Sequence, residues 1–326
     1  MNAVIRRLSC WLAPAVLAYN TAALAQEKPG GYPVRPIRIV VTVSPGAGAD
    51  AIARAAAQML TERWGQTVVV DNRAGGSGVI ATELVARAAP DGYTILSYAD
   101  SLLFLGATKR VPFDVLTAFD PIVMMTAQPY ILIVGLTLPV ESLKDLVAYS
   151  AKQPLTYGSS GIGGTVHLGM ERLAVATGAK LRHVPYKGTA PSIVAVMGGE
   201  IHMVAGSSIA ATAAIKTGKV RALAAMGLTR IPALPDLPTI AEQGVPGFKI
   251  TNRYSLFAPA GTPRPIVAAI HRVVGDGMHA PQMAKRLASE GAQPGDRMTP
   301  DELKVSNARE YVEIEQQVKQ LNLKFF

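Results

Sequence analysis

Two glycine-rich loops hold the residues best placed to do chemistry: Ser44-Pro45-Gly46-Ala47-Gly48-Ala49-Asp50 and Gly158-Ser159-Ser160-Gly161-Ile162-Gly163-Gly164-Thr165. Each follows a strand-like run and opens a helix-forming one. The first turn of a helix leaves backbone N–H groups unpaired and carries partial positive charge, and glycine lets an anion approach that backbone closely. Two such loops facing one another would grip a small carboxylate. The competing reading is a pair of ordinary turns in which Asp50 and Thr165 cap their helices. One loop alone leaves the readings balanced; a loop in each half of the chain favours a ligand.

Enzyme motifs are weaker. Gly46-Ala47-Gly48 lacks the third glycine of a dinucleotide fingerprint, and no P-loop Gly-Lys-Ser/Thr occurs. Gly158-Ser159-Ser160-Gly161 and Gly76-Ser77-Gly78 are too short for a nucleophile elbow, and a hydrolase built on Ser160 and His167 lacks a coherent triad spacing. His167 and Glu171 share a helix face and could be two metal ligands, yet spacing offers no third, so a polar pair is the better reading. His183 and His202 fall in strand-like runs and read as packed or edge residues. No catalytic residue, metal or cofactor is expected.

Alternating strands and helices must position these loops. Ile37–Val43, Thr67–Val70 and Tyr93–Ser97 read as strands with helices between them, and Pro90-Asp91-Gly92 as a turn. A second alternation begins near Gln128, with strands at Ile131–Val134, Leu155–Tyr157, Leu181–Val184, Ile201–Val204 and Val220–Ala225. Ile231–Pro246 is a proline-rich loop, Lys249–Ala258 is extended, and three helices begin near Pro263, Pro281 and Thr299. This pattern predicts an α/β fold of two lobes, each a mainly parallel sheet flanked by helices. The strandless tail must pack on a lobe. The expected division is 26–127 plus 253–326 for lobe 1 and 128–252 for lobe 2, with crossings near Ala127 and Arg253 acting as a hinge.

Composition places the chain outside a membrane or nucleic-acid role. Of 326 residues, 49% are hydrophobic and 17% charged, with one cysteine and a formal charge of +9. Arg6 and Arg7, the apolar run Leu8–Ala18 and the Ala23-Leu24-Ala25 site read as a signal peptide over residues 1–25, with an apolar run too short to span a bilayer. The leader removes two positive charges together with Cys10, so no disulfide or thiolate metal site is available afterwards. Aromatics are only 6% and never interleave with a basic cluster, so the charge is poor evidence for nucleic acid. The expectation is an exported protein whose residues 129–252, with 11 basic against 6 acidic side chains, bias one jaw toward anions.

Several segments then carry a resemblance. Tyr32-Pro33-Val34-Arg35-Pro36-Ile37-Arg38-Ile39-Val40-Val41, Val70-Asp71-Asn72-Arg73-Ala74-Gly75-Gly76-Ser77-Gly78, Ala89-Pro90-Asp91-Gly92-Tyr93-Thr94, His183-Val184-Pro185-Tyr186-Lys187-Gly188-Thr189 and Ala258-Pro259-Ala260-Gly261-Thr262-Pro263 run in the order seen in the Bug/TctC family. These are substrate-binding proteins of tripartite tricarboxylate transporters, and the chain resembles them from Tyr32 onward. The resemblance implies a periplasmic, monomeric, periplasmic-binding-protein-like (type II) Venus flytrap that hands a small mono- or dicarboxylate to membrane permease subunits. A ligand-presenting sensor is the alternative.

It also implies the binding residues. The first loop supplies Ser44, Gly46, Ala47, Gly48, Ala49 and Asp50; the second supplies Ser159, Ser160, Gly161, Gly164, Thr165 and His167. Tyr98 and Ser101 join them from the third strand end. Gly206 and Ser207 stand where relatives often carry Asp-Asn, which removes an acidic partner for a ligand amine. Arg253 stands where many carry an aromatic: it would suit a second carboxylate, or be an ordinary hinge-surface arginine. Asp100 has three open assignments, an ion pair with Arg253, a helix cap or a contact with a ligand donor.

Overall fold

The computed structural model describes residues 29–321; the leader expected over residues 1–25, with Cys10, lies outside them. The β-branched run Ile37–Val41 forms β1, which pairs in parallel with β2 (Val68–Asn72) and β3 (Thr94–Ala99). Each strand is followed by a helix: α1 (Gly48–Trp64), α2 (Val79–Ala86) and α3 (Ser101–Ala107). The chain then leaves this sheet on a single strand, β4 (Phe119–Gly135).

A second sheet forms around the far end of β4. Its parallel core is β5 (Leu155–Ser159) between β6 (Leu181–Pro185) and β7 (Met203–Ser207). Helices α4 (Leu143–Lys152), α5 (Thr165–Thr177), α6 (Thr189–Met197) and α7 (Ser208–Lys216) alternate with these strands, and β8 (Val220–Ala225) follows. The chain returns on β9 (Thr251–Pro259). It ends in α8 (Arg264–His279), α9 (Pro281–Ser289), the two-residue β10 (Gln293–Pro294) and α10 (Pro300–Leu321).

The sheets are mixed rather than mainly parallel. β9 lies antiparallel between β3 and β4, and β4 pairs antiparallel with β7 and β8. The reason is connectivity: a chain that crosses on one strand and returns on its neighbour must pair the two head to tail. β4 extends the strand expected at Ile131–Val134 back to Phe119, through two prolines. Pro121 sits at a register shift against β9, and Pro129 pairs with Thr251 where the two strands stop pairing; proline is tolerated at such positions.

Strand alternation explains why the second sheet is buried on both faces. Tyr130, Leu132 and Val134 enter one core with Tyr157 and Met170, while Ile131 and Ile133 enter another with Val196 and Val204. The first sheet has its own core, built on Ile37, Ile39, Leu60, Leu96 and Leu256. Each such side chain contributes about 1.5–3 kcal/mol on burial. The tail completes that first core with Val267, Ile270, Val274 and Met278, and His271 Nδ1 meets the Ile122 carbonyl at 2.8 Å. A fourth cluster joins Leu103, Phe104 and Ile314 to Leu168 of α5. No described helix is long and apolar enough to cross a membrane.

Candidate functional site

The carboxyl ends of β1, β3 and β5 meet the crossing strands at a cavity between the two sheets, the place where open α/β sheets bind ligands. Thr42, Val43, Ala47 and Ala49 line it from β1 and the start of α1. Ser77, Tyr98, Ala99 and Ser101 line it from the turn before α2 and from the end of β3. Ser160 and Thr189 face them from the second half, and Tyr130, Asn252 and Tyr254 form the floor on β4 and β9. Every lining side chain is uncharged. The cavity measures about 30 Å³, the space of roughly one water molecule.

The halves touch across this cavity at three points. Ser44 donates from both its N–H (3.3 Å) and its hydroxyl (2.9 Å) to the Lys187 carbonyl. The Ser77 hydroxyl (3.0 Å) and Arg110 (2.6 Å) donate to the Ile162 carbonyl. Ser101 Oγ lies 3.0 Å from Thr165 Oγ1. The approach leaves no room for a methyl group at Gly161, where a Cβ would fall 2.2 Å from Ser77 Oγ, or at Gly48, where it would fall 2.5 Å from Ser207 Oγ.

Asp50 is not the cap of α1. That place belongs to Ala47, and Asp50 reaches back from the first turn to accept the Gly46 N–H at 3.0 Å. It also accepts from Arg54 (3.1 Å) and the Asn72 amide (3.0 Å). Burial opposes its charge, but the Arg54, Gly46 and Asn72 donors together hold the carboxyl below the usual carboxylate range. Asp50 therefore shapes the loop from behind and does not line the cavity.

Thr165 is not a cap either. Gly164 holds that place before α5, and His167 Nδ1 accepts the Gly163 N–H at 2.9 Å. His167 stacks on His183 with ring centroids 4.0 Å apart, and His183 Nε2 lies 2.6 Å from Ser159 Oγ. Burial lowers His167 to about 4, with Arg110 adding to the effect, and burial with His167 nearby lowers His183 to about 3. Both rings are neutral at neutral pH, as an imidazole that accepts an N–H bond must be. His167 and Glu171 stand 4.0 Å apart, and Glu171 accepts from the Tyr157 hydroxyl at 2.5 Å. No group of three metal-ligating side chains occurs among the described residues.

The expected binding residues thus divide. Ala47, Ala49, Tyr98, Ser101 and Ser160 line the cavity. Ser44, Gly48, Gly161 and Thr165 form the contact between halves, while Gly46, Asp50, Ser159, Gly164 and His167 hold the loops. Ser207 caps α7 and bonds the Tyr254 hydroxyl, whereas Gly206 packs into the core beside Ala211 and Ile193. Arg253 turns away: alternation along β9 puts Asn252 and Tyr254 in the wall and Arg253 on the opposite face. There its Nε donates to Asp100 at 2.9 Å, so of the three assignments open for Asp100 the ion pair is the one formed. Burial pushes the Asp100 carboxyl up and Arg253 draws it back down.

Thr42, Ser77, Tyr130, Thr189, Asn252 and Tyr254 are the polar wall residues that sequence reasoning missed. Ser77 and Thr189 lie inside motifs quoted for the resemblance. The others carry no local signal, because only strand pairing brings them together. Two of them matter most for a ligand: Thr42 Oγ1 and Asn252 Oδ1 are buried and have no hydrogen-bond partner, and such atoms cost about 1–3 kcal/mol each unless something satisfies them. Tyr254 accepts the Ala49 N–H, and burial pushes its hydroxyl up to about 12, so it stays a neutral phenol.

The tripartite tricarboxylate transporter family receptor model matches residues 52–318. The chain belongs to this receptor family. It is 34% identical over 268 residues to protein BugT of Bordetella pertussis, covering 81% of this chain and 82% of BugT. Its fold matches that of R. palustris Rpa4515 with adipate at a TM-score of 0.85 and 34% identity, covering 89% of this chain and 98% of that one. It also matches MatC from Rhodopseudomonas palustris with bound malate at a TM-score of 0.84 and 28% identity, covering 88% and 100%. The receptor has the periplasmic-binding-protein fold expected from sequence, and its family and neighbours are solute-binding proteins rather than enzymes.

Proposed function

We propose that this receptor captures a small organic mono- or dicarboxylate between its two sheets and presents it to the permease subunits of a tripartite transporter. The observation that carries the reading is an uncharged cavity wall containing the start of a 17-residue helix and two unpaired buried polar atoms. A helix start carries about half a positive charge, which attracts a carboxylate. Hydroxyls and amides hold it without a salt bridge to desolvate. The wall offers no carboxylate to pair with a ligand ammonium, which favours ligands without an amino group. An acid larger than about 30 Å³ enters only when the halves part, and we place the hinge where β4 and β9 stop pairing, at 127–129 and 251–253. The lobes on either side are then 26–127 with 253–326, and 128–252. Periplasmic residence after cleavage of residues 1–25 completes the proposal and is supported by the periplasmic relatives.

Thermal unfolding with a panel of organic acids, adipate and malate among them, tests the reading. A ligand at 100 times its Kd adds about 2.7 kcal/mol, which raises the Tm of a chain of 326 residues by about 4 °C. Absence of a shift with every acid would overturn it.

A further inference from the structure

Behind the cavity wall lies a charge cluster that the binding site itself does not use, with Asp100 buried and Arg253 and Glu310 partly buried. Asp100 stands between Ala99 and Ser101, and Arg253 between Asn252 and Tyr254; all four of those neighbours line the cavity. The Arg253 backbone N–H donates to Asp100 Oδ2 at 3.1 Å and its Nε to Oδ1 at 2.9 Å. The other end of the guanidinium pairs with Glu310 of α10, and Nη1 reaches Ser306 Oγ at 3.4 Å. One side chain therefore ties together the β3–α3 turn, the returning strand β9 and the last described helix.

We propose that Asp100 and Arg253, braced by Glu310, are positioning residues that set the geometry of the cavity wall and so tie α10 to ligand affinity. A buried ion pair is a weak source of stability, because an apolar replacement of similar volume is often no worse. What it supplies is direction. The planar guanidinium fork fixes β9 against β3 at the residue between two wall side chains. A shift of one strand by a fraction of an ångström moves Asn252 and Tyr254 together, since neighbouring residues on a strand are rigidly coupled. Lysine, a single flexible point charge, cannot reach Asp100 and Glu310 with the same fork.

The proposal rests on the carboxylate reading, and the experiment separates the two. Binding of adipate and malate is measured by calorimetry for the unaltered protein, Arg253→Met, Asn252→Ala and the double variant. Each single change is expected to weaken binding about tenfold. The double change should weaken it by clearly less than the product of the single effects, because Arg253 acts in part through the side chain already removed and in part through Tyr254. A double variant weakened by the full product of the single effects, or an Arg253→Met protein that binds as the unaltered one does, overturns the proposal. If Arg253→Met does not fold, Arg253→Lys takes its place in the same cycle. Hydrogen exchange without any acid gives an independent arm: faster exchange confined to residues 99–102 and 251–255 is expected in the Arg253 variant, and unaltered protection there overturns positioning. Failure of the unaltered protein to bind any acid overturns the carboxylate reading alone.

Discussion

In the first glycine-rich loop the turn is held by charge: Asp50 gathers the Gly46 N–H, the Arg54 guanidinium and the Asn72 amide. In the second the same task falls to neutral groups, His167 on the Gly163 N–H, His183 stacked on His167, and Ser159 between His183 and Gly161. The difference follows from surroundings. Arg54 is half exposed and keeps its water while it neutralises Asp50. The histidine pair lies between the first turn of α5 and β6, where burial penalises an ion and neutral rings avoid that cost. Both devices leave the lining free of charge, so an anion there would meet only dipoles. Arg253, paired with Asp100 on the opposite face of β9, lies outside that lining, as do the basic side chains of residues 129–252.

The largest effect expected is at the point where the second loop meets the first half. Gly161 has φ +132° and a Cβ there would overlap Ser77, so Gly161→Ala should raise the free energy of the closed arrangement by about 3 kcal/mol. Calorimetry with a bound acid should then show about a hundredfold loss of affinity, together with a fall in Tm because the strain at φ +132° persists when the halves part; a loss of affinity below tenfold would mean that the halves need not approach this closely.

Asp50→Ala breaks the charged loop and should destabilise the protein by about 2–3 kcal/mol in urea unfolding, because the Gly46 N–H and Asn72 amide lose a buried acceptor. The figure is not larger, since Arg54 can return to water. His167→Gln keeps a hydrogen-bonding side chain at the neutral loop and should cost only about 1 kcal/mol. Equal costs for the two would erase the distinction drawn between them.

Acid separates the loops more gently. His167 and His183 titrate near 6.5 when unfolded and at about 4 and about 3 when folded, so the unfolded chain binds more protons across that interval. Stability is full above pH 6.5 and falls as pH drops through the folded values. Asp50, lowered from 3.8, adds its loss only below that point. A stability profile should therefore begin to decline between pH 6 and 4, and His167→Gln should flatten that part; a decline starting only below pH 4 would count against neutral histidines in the second loop.

Much of this was legible in the residues. The loops, the strands before them and the packing of the tail on the first half follow from local patterns that agree with the fold. The wall was only half legible. Ala47, Ala49 and Ser160 belong to the loops and could be read there, but Asn252 and Tyr254 owe their place to the pairing of β9 with β3 and β4. No local signal reports such a pairing. Arg253 meets the same limit: its type suits a carboxylate or a hinge surface alike, and its face is decided by a one-residue alternation that cannot be read without the register. The 17-residue β4 was hidden by Pro121 and Pro129, which a propensity reading takes as breaks.

The threading of β9 between β3 and β4 also gives the two halves different ages. Apart from the crossing strand β4, the strands of the second sheet lie between Leu155 and Ala225 and can pair as soon as that stretch is available. The first sheet cannot finish, because Ser97 waits for Leu256 and the core waits for α8. Until then β3 is an open edge, the kind that recruits other chains. The older half in sequence is the younger in assembly, and the receptor gains its binding wall only when that last strand slides in.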